Sequence, residues 1–599
     1  MKRTASFLVW IAILGVTPCF AGDRPNVLLI VTDDQGYGDF RSTGNEKIDT
    51  PSLDKLAKQS TRFERFFVSP MCTMTRASLL SGRYYLRTGV AGAAKGLETM
   101  RSSEITIAEM LRDTAYSTAC FGKWHLGEHY PNHPRGQGFD EFFGMPQGHW
   151  DNYFDPELEH NGQMVKTKGY ITDVLTDRAI GFLEKKHDDP FFCYLAYNAP
   201  HTPLQVPDRY FDKYKERGFD NRVAAIYGMV DNLDENIGRL LARLDELNLA
   251  EDTLVVFLTD NGPEGQQDSR FNGGMLGMKG KVNEGGMRVP CYFRWPGKIK
   301  AGKVIQSIAA HFDLLPTLAD FCKAELPSSN PLDGRNLSPL ILDENENAEW
   351  PDRMFFHRAP DWRQMLAYVD PVIKDLDEFP GAVRTQQWRA VNEREGWALF
   401  DMIKDPGQTV DLASANPEVV DKLSSAYRKW FAEVTETPII RPPVPLGYKE
   451  WPVAELPASE VYFEGSIHHY NQGYAHDWLT GWTDTNDKIW WDIDAVETGQ
   501  FKVEIVYACF SESLGTKLQI RVTETGATLE AKLEQAYPPD PKPRPTRHPK
   551  KRSTQTFATQ KLGEISLPKG RTHLHLKALN NLSGKEICDV KAIRLTRIE

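Results

Sequence analysis

Several signatures are missing from this sequence, and each absence removes a class of function. Eight cysteines are scattered along the chain with no C-x-x-C pair, so no zinc-binding spacing is encoded. Past the N-terminus there is no long apolar run, so no membrane-spanning helix is expected in the mature protein. Positive charge is not in excess. The formal net charge is −11, whereas a nucleic-acid partner calls for a basic surface to meet its phosphates.

The N-terminus has the layout of an export signal. Lys2 and Arg3 precede an apolar run from Phe7 to Val16 that is too short to span a bilayer, and Cys19-Phe20-Ala21 supplies a small residue for cleavage before Gly22. Residues 1–21 are therefore expected to be a signal peptide, and the mature protein to be periplasmic or secreted.

A chain of 599 residues is too long for one core, so two or three domains are expected. From Pro25 onward, short apolar strands alternate with helical patterns. The strands are Asn26–Thr32 (NVLLIVT), Ser117–Phe121, Phe191–Tyr197 and Thr253–Thr259 (TLVVFLT). The helices are Ser52–Ser60 and Arg222–Leu247, the second carrying Ile226, Met229, Val230, Leu233 and Ile237 on one side. This alternation predicts an α/β domain over residues 22–351, with a mostly parallel sheet covered by helices. Residues 352–437 read as a smaller α+β subdomain, with strands Gly381–Val391 and Trp397–Met402 and a helix Pro417–Val434. A Pro-rich stretch, 438–454, reads as a linker. Residues 455–599 have the short alternating strands of an all-β sandwich module. Its Trp478, Trp482, Trp490 and Trp491 are expected in the core, with stacking on sugar rings as the alternative. The basic, Pro-rich Pro538–Arg552 reads as a solvated loop. Cys120, Cys193 and Cys291 sit in apolar runs, as buried thiols do. Whether Cys509 and Cys588 pair in an oxidising compartment is open at this stage.

Polar residues gather where these strands end. Asp33-Asp34 follows the first strand, Gly122-Lys123-Trp124-His125 the second, Asn198-Ala199-Pro200-His201 the third, and Asp260-Asn261-Gly262 the fourth. Ligands of an open parallel sheet bind outside the carboxyl ends of its strands, so the four clusters are expected at one edge. Each pair alone is an ordinary strand-ending turn. Together, three carboxylates and a carboxamide form a hard oxygen set that suits Ca²⁺ or Mg²⁺. Cys72 opens a helical run that continues through Arg76 to Ser81-Gly82-Arg83. A helix N-terminus favours anions and activates a cysteine there, and Arg76 falls one turn on along the same face.

These segments resemble the sulfatase family of arylsulfatase A type, within the alkaline-phosphatase-like superfamily, over about Pro25 to Thr437. The resemblance rests on Cys72 and Arg76 with Ser81-Gly82-Arg83, on the first strand with Asp33-Asp34, on Gly122 to Gly127, and on Ala199-Pro200-His201. It rests also on Thr259 to Gly262 and on Lys279-Gly280 through Arg288-Val289-Pro290. It implies that Cys72 is oxidised by a maturation enzyme to formylglycine, whose hydrated gem-diol attacks sulfur and then expels sulfate. It further implies one Ca²⁺ held by Asp33, Asp34, Asp260 and Asn261 with residue 72 beside it. Arg76 and Lys123 would then stabilise the hydrated aldehyde, His125 would act as base, and His201 and Lys279 would contact the sulfate and assist the leaving group. Two positions depart from the pattern. Met74 stands where the modification motif has Pro or Ala, and Gly148 stands where a serine is usual, with His149 beside it.

The sequence thus predicts a sulfuric ester hydrolase acting on a sulfated carbohydrate. A phosphomonoester or phosphonate hydrolase on the same scaffold is one alternative. A catalytically silent protein that binds sulfated glycans is another.

Overall fold

The computed structural model describes residues 24–187, 189–265, 270–343, 350–360, 372–373, 376–543, 546–547 and 553–598. The segment read as a signal peptide lies outside them. Among the described residues, the Asn26–Thr32 strand lies inside an eleven-stranded mixed sheet. It is hydrogen-bonded in parallel to Thr253–Thr259 on one side and to Phe191–Ala196 on the other, with Leu28 between Val255 and Cys193. Ser117–Lys123 and Glu141–Met145 extend the parallel run beyond Phe191–Ala196. The antiparallel Arg288–Arg294 adds to the opposite side.

Successive side chains of a strand point to opposite faces, and here both faces are covered. Val27, Leu29 and Val31 enter one core with Met74, Leu79 and Leu314. Leu28 and Ile30 enter the other with Ile226, Leu233 and Ile237 of the helix Asn221–Glu246. That helix starts where Asp220 accepts hydrogen bonds from the Arg222 and Val223 N–H groups. A continuous apolar strand is stable only when buried on both faces, each such side chain contributing about 1.5–3 kcal/mol.

A four-stranded antiparallel sheet follows, with the helix Pro417–Val434 against it. The single strand expected over Gly381–Val391 is in fact a hairpin, Gly381–Arg384 and Trp388–Asn392. Thr385 makes the turn: its N–H bonds the Trp388 carbonyl at 2.8 Å and its Oγ1 accepts the Trp388 N–H at 2.9 Å. The stretch read as a linker is not free chain either. Val444–Leu446 pairs with Ile493–Ala495, and Val453–Pro457 pairs with Asp589–Arg597.

Two six-stranded sheets build the C-terminal module. Trp478, Trp482 and Trp491 are fully buried in it, as a core role requires, while the half-buried Trp490 stacks on Tyr462. Cys509 and Cys588 are free thiols. The basic loop is not wholly solvated, because the Arg547 N–H bonds the Leu204 carbonyl at 2.9 Å and its guanidinium lies over the Phe211 ring. The stretch before the module meets the α/β domain through Trp451, stacked on Tyr130, and the module itself meets it through Glu460 Oε2, 3.2 Å from His129 Nε2. Among the described residues, no helix is long and apolar enough to cross a membrane.

Two outcomes are expected. Trp491→Ala should destabilise the protein by about 3–5 kcal/mol, as removal of a buried aromatic does. Unchanged unfolding with lost glycan binding would overturn the core assignment. The second concerns pH. Burial would lower the His129 pKa, but Glu460 and Glu128 outweigh it and push it up to about 9. Burial pushes Glu128 up to about 7, against the pull of His129, and burial with Glu460 pushes Glu98 up to about 8. Glu455 and Arg441 also face this group. The shifts of His129, Glu128 and Glu98 are upward, so their contributions to stability are complete at low pH and are lost as pH rises through the folded values, whereas Glu460, held below its ordinary value by His129 and Arg441 against its burial, gives a contribution already complete above the ordinary carboxylate range. Thermal midpoints should therefore fall from pH 6.5 to pH 9, and less steeply in Glu128→Gln. A flat or rising profile in the native chain would contradict this.

Candidate active site

The helix Cys72–Ser81 starts at Met71, whose side chain makes no capping bond, and every residue in it is buried. Its first turn therefore directs N–H groups without a side-chain cap into the site, with Cys72 among them. The loop before the helix is fixed by Thr75, whose Oγ1 accepts the Ser69 N–H and donates to the Ser69 carbonyl. One turn beyond Cys72, Arg76 reaches across to Asp260. Its Nη2 lies 2.8 Å from Asp260 Oδ2, and its Nη1 donates to the Lys123 carbonyl at 2.8 Å. Arg76 thus places Asp260 and Lys123.

All four strand-end clusters meet as expected. Asp33, Asp34, Asp260 and Asn261 are fully buried. Lys123 Nζ donates to Asp33 Oδ2 at 2.6 Å, and Lys279 Nζ contacts Asp34 at 2.8 Å. Asn261 Nδ2 donates to Asp34 Oδ1, also at 2.8 Å, and His201 Nε2 lies 3.7 Å from Asp34 Oδ2. Burial works against the charge on Asp33 and Asp34, but Lys123 and His201 outweigh it at Asp33 and hold it well below the usual carboxylate range, and Lys279 and His201 outweigh it at Asp34 and hold it lower than usual. For Asp260, burial and the charge of Asp33 prevail and push the carboxyl upward. Two acceptors, Asp33 Oδ1 and Asn261 Oδ1, are buried with no hydrogen-bond partner. Ligand atoms of Asp33, Cys72 and Asp260 lie within 4.8 Å of one another. Orphaned oxygens amid crowded carboxylates are what a hard divalent cation would satisfy, so the donor set fits Ca²⁺.

Cys72 Sγ lies 3.5 Å from His125 Nδ1. On the far side of the ring, His125 Nε2 lies 2.9 Å from the Ala93 carbonyl, with Thr73 Oγ1 at 3.3 Å. A carbonyl can only accept, so neutral His125 carries its proton on Nε2 and turns the Nδ1 lone pair toward residue 72. Burial, aided by Lys123, depresses the His125 pKa and keeps the ring neutral. Burial also pushes the Cys72 thiol up. Both His125 and Asp34 hold left-handed backbone, with φ near 64° and 63°, a cost that tends to concentrate at functional sites.

The serine missing at Gly148 now has a reason. A Cβ there would fall 1.9 Å from His125 Nε2, so only glycine lets the base sit where it does. His149 lines the same cavity, its ring centroid 5.6 Å from that of His201.

The sequence did not signal several members of the site. Thr73 and the Ala93 carbonyl, which orient His125, look like ordinary helix and loop positions. Glu98, Glu128 and Glu264 line the cavity, as do Ser459, Tyr474 and Ala475 of the C-terminal module. Glu128 directly follows the Gly122–Gly127 segment, which could have drawn notice. The module residues lie far away along the chain and carry no local pattern.

Comparison with known proteins agrees with this geometry. Residues 25–324 match the family model "Sulfatase", and residues 278–432 match "N-sulphoglucosamine sulphohydrolase, C-terminal". Human arylsulfatase A is 33% identical over 457 residues, 67% of this chain and 86% of that protein. Mouse N-acetylgalactosamine-6-sulfatase is 30% identical over 471 residues, 70% of this chain and 87% of that one. The crystal structure of Ps i-CgsB, also solved in complex with k-i-k-neocarrahexaose, superposes with a TM-score of 0.61 at 32% identity, covering 68% of this chain and 92% of its own. With the helix-borne Cys72, its histidine and the carboxylate ring in place, the chain belongs to the sulfatase family.

Proposed function

We propose that this sulfatase releases sulfate from a sulfated carbohydrate, with residue 72 converted to formylglycine and one Ca²⁺ held by Asp33, Asp34, Asp260 and Asn261 beside it. The observation that carries the reading is the pairing of two orphaned acceptors, Asp33 Oδ1 and Asn261 Oδ1, with a buried Cys72 that faces His125 Nδ1. The ion, when bound, withdraws charge from the sulfate oxygens. The hydrated aldehyde supplies two hydroxyls on one carbon, one to attack sulfur and one to let sulfate depart.

The chain's own groups do the rest. His125 Nδ1 is positioned to take the hydroxyl proton of residue 72, because its other nitrogen is committed to Ala93. Lys123 and Lys279 bring positive charge to the place where sulfate oxygens gain charge. His201, partly exposed at the cavity, is the proton donor to the leaving alcohol. Arg76 acts at one remove, holding Asp260 and the Lys123 backbone. A carbohydrate substrate is supported by relatives whose names and ligands are sulfated sugars or sugar chains. Export through residues 1–21 and conversion of Cys72 by a formylglycine-generating enzyme belong to the same reading.

Peptide mass spectrometry across Cys72, on protein from its native host, should find the residue about 18 Da lighter than cysteine, the exchange of sulfur for oxygen with loss of two hydrogens that makes the aldehyde covalent catalysis here needs. A wholly unmodified cysteine would favour the silent glycan-binding protein instead. His125→Ala should lower kcat on a sulfate ester by about 10²–10⁴, the usual worth of a positioned base. A loss smaller than about tenfold would remove His125 from that role.

A further inference from the structure

We infer that the C-terminal β-module completes the substrate pocket and restricts it to a sulfated sugar at the end of a chain, with Tyr474 as the contact that reads the sugar. This rests on the sulfatase reading above and adds to it where the substrate is held and from which side it enters.

The cavity at the site has a volume of about 240 Å³, below the usual range of roughly 300–1,000 Å³ for ligand pockets. Cys72, His125, His201 and Lys279 line it at the catalytic end, and Ser459, Tyr474 and Ala475 belong to the module. The family models end at residue 432, so this wall is an addition to the shared scaffold.

The wall is fixed on both flanks. His476 Nε2 lies 3.0 Å from the His149 carbonyl, and its ring packs edge-on against Trp150 with centroids 4.4 Å apart. On the other flank, His129 pairs with Glu460, next to Ser459. The Tyr474 loop is itself held in shape. The Asp477 carboxylate accepts the N–H groups of Asn471, Gly473 and Trp478 at 3.0, 2.6 and 2.9 Å. A contact surface ordered before binding loses little entropy when substrate arrives. Tyr474 is half-buried and offers a flat apolar ring with a polar tip, suited to a surface that is apolar on one side and hydroxylated on the other. A cavity of this size takes one sugar ring. A residue inside a chain needs two exits for its neighbours, whereas a terminal residue needs one, and Ser459, Tyr474 and Ala475 of the module share the lining of this cavity with Cys72 and His125.

The test uses the full-length, matured protein, an oligosaccharide sulfated at both terminal and internal residues, and a small aryl sulfate. Mass spectrometry should find sulfate lost from the terminal residue only. Tyr474→Ala, with its melting temperature unchanged, should raise KM for the oligosaccharide about tenfold while kcat/KM on the aryl sulfate stays within about twofold. If that variant does not fold, Ala475→Leu, which narrows the cavity from the same wall, should show the same split. Release of internal sulfate, or equal effects on both substrates, overturns the inference. If the wild-type chain hydrolyses neither ester, the sulfatase reading fails on its own account. The wall is then judged by calorimetric titration of a monosaccharide sulfate: about tenfold weaker binding by Tyr474→Ala upholds it, and equal binding overturns it.

Discussion

Burying Asp33, Asp34 and Asp260 side by side costs several kcal/mol per charge unless cationic groups answer each one. The architecture around the site supplies those groups from separate parts of the chain. Lys123 arrives on the strand beyond Phe191–Ala196, Lys279 from the loop before Arg288–Arg294, and Arg76 from the helix that also carries Cys72. The answer is deliberately incomplete in one sense, since two oxygens keep no protein partner. The same positive groups that quiet the carboxylates also surround the place where an ester would acquire negative charge. Charge neutralisation within the fold and stabilisation of a transition state are thus one arrangement.

Much of this was legible because α/β folds put chemistry at strand ends. Four apolar runs, each ending in Asp, Lys, Asn or His, sufficed to locate the edge of the sheet, and the helix Pro417–Val434 was readable from its period. The family resemblance then assigned parts to residues that spacing alone left ambiguous. What sequence could not supply came from distance along the chain. The Gly381–Val391 run looked like one strand because its Thr-Gln-Gln turn is bonded through a threonine side chain and the backbone rather than marked by glycine or proline. Gly148 looked like a lost serine until the imidazole of His125 was seen against it. The ring occupies the space that a side chain at 148 would need. Tyr474 and Ala475 reach the cavity only because two sheets fold over and bring them back to it.

On the formylglycine reading, the burial of the whole Cys72–Ser81 helix would set an order of events in the life of the protein. An enzyme that rewrites Cys72 would need to reach the surrounding segment, yet in the finished fold Met74 and Leu79 are sealed in the main core. Conversion would then have to come before the sheet closes over the helix. Met74 would meet two judges in turn: first a modifying enzyme that reads the open chain, then a core that asks only for a bulky apolar side chain. A molecule that folded first would keep its thiol, because reopening the site would mean unfolding the domain. On that reading, a race between conversion and folding would decide the fraction of active molecules.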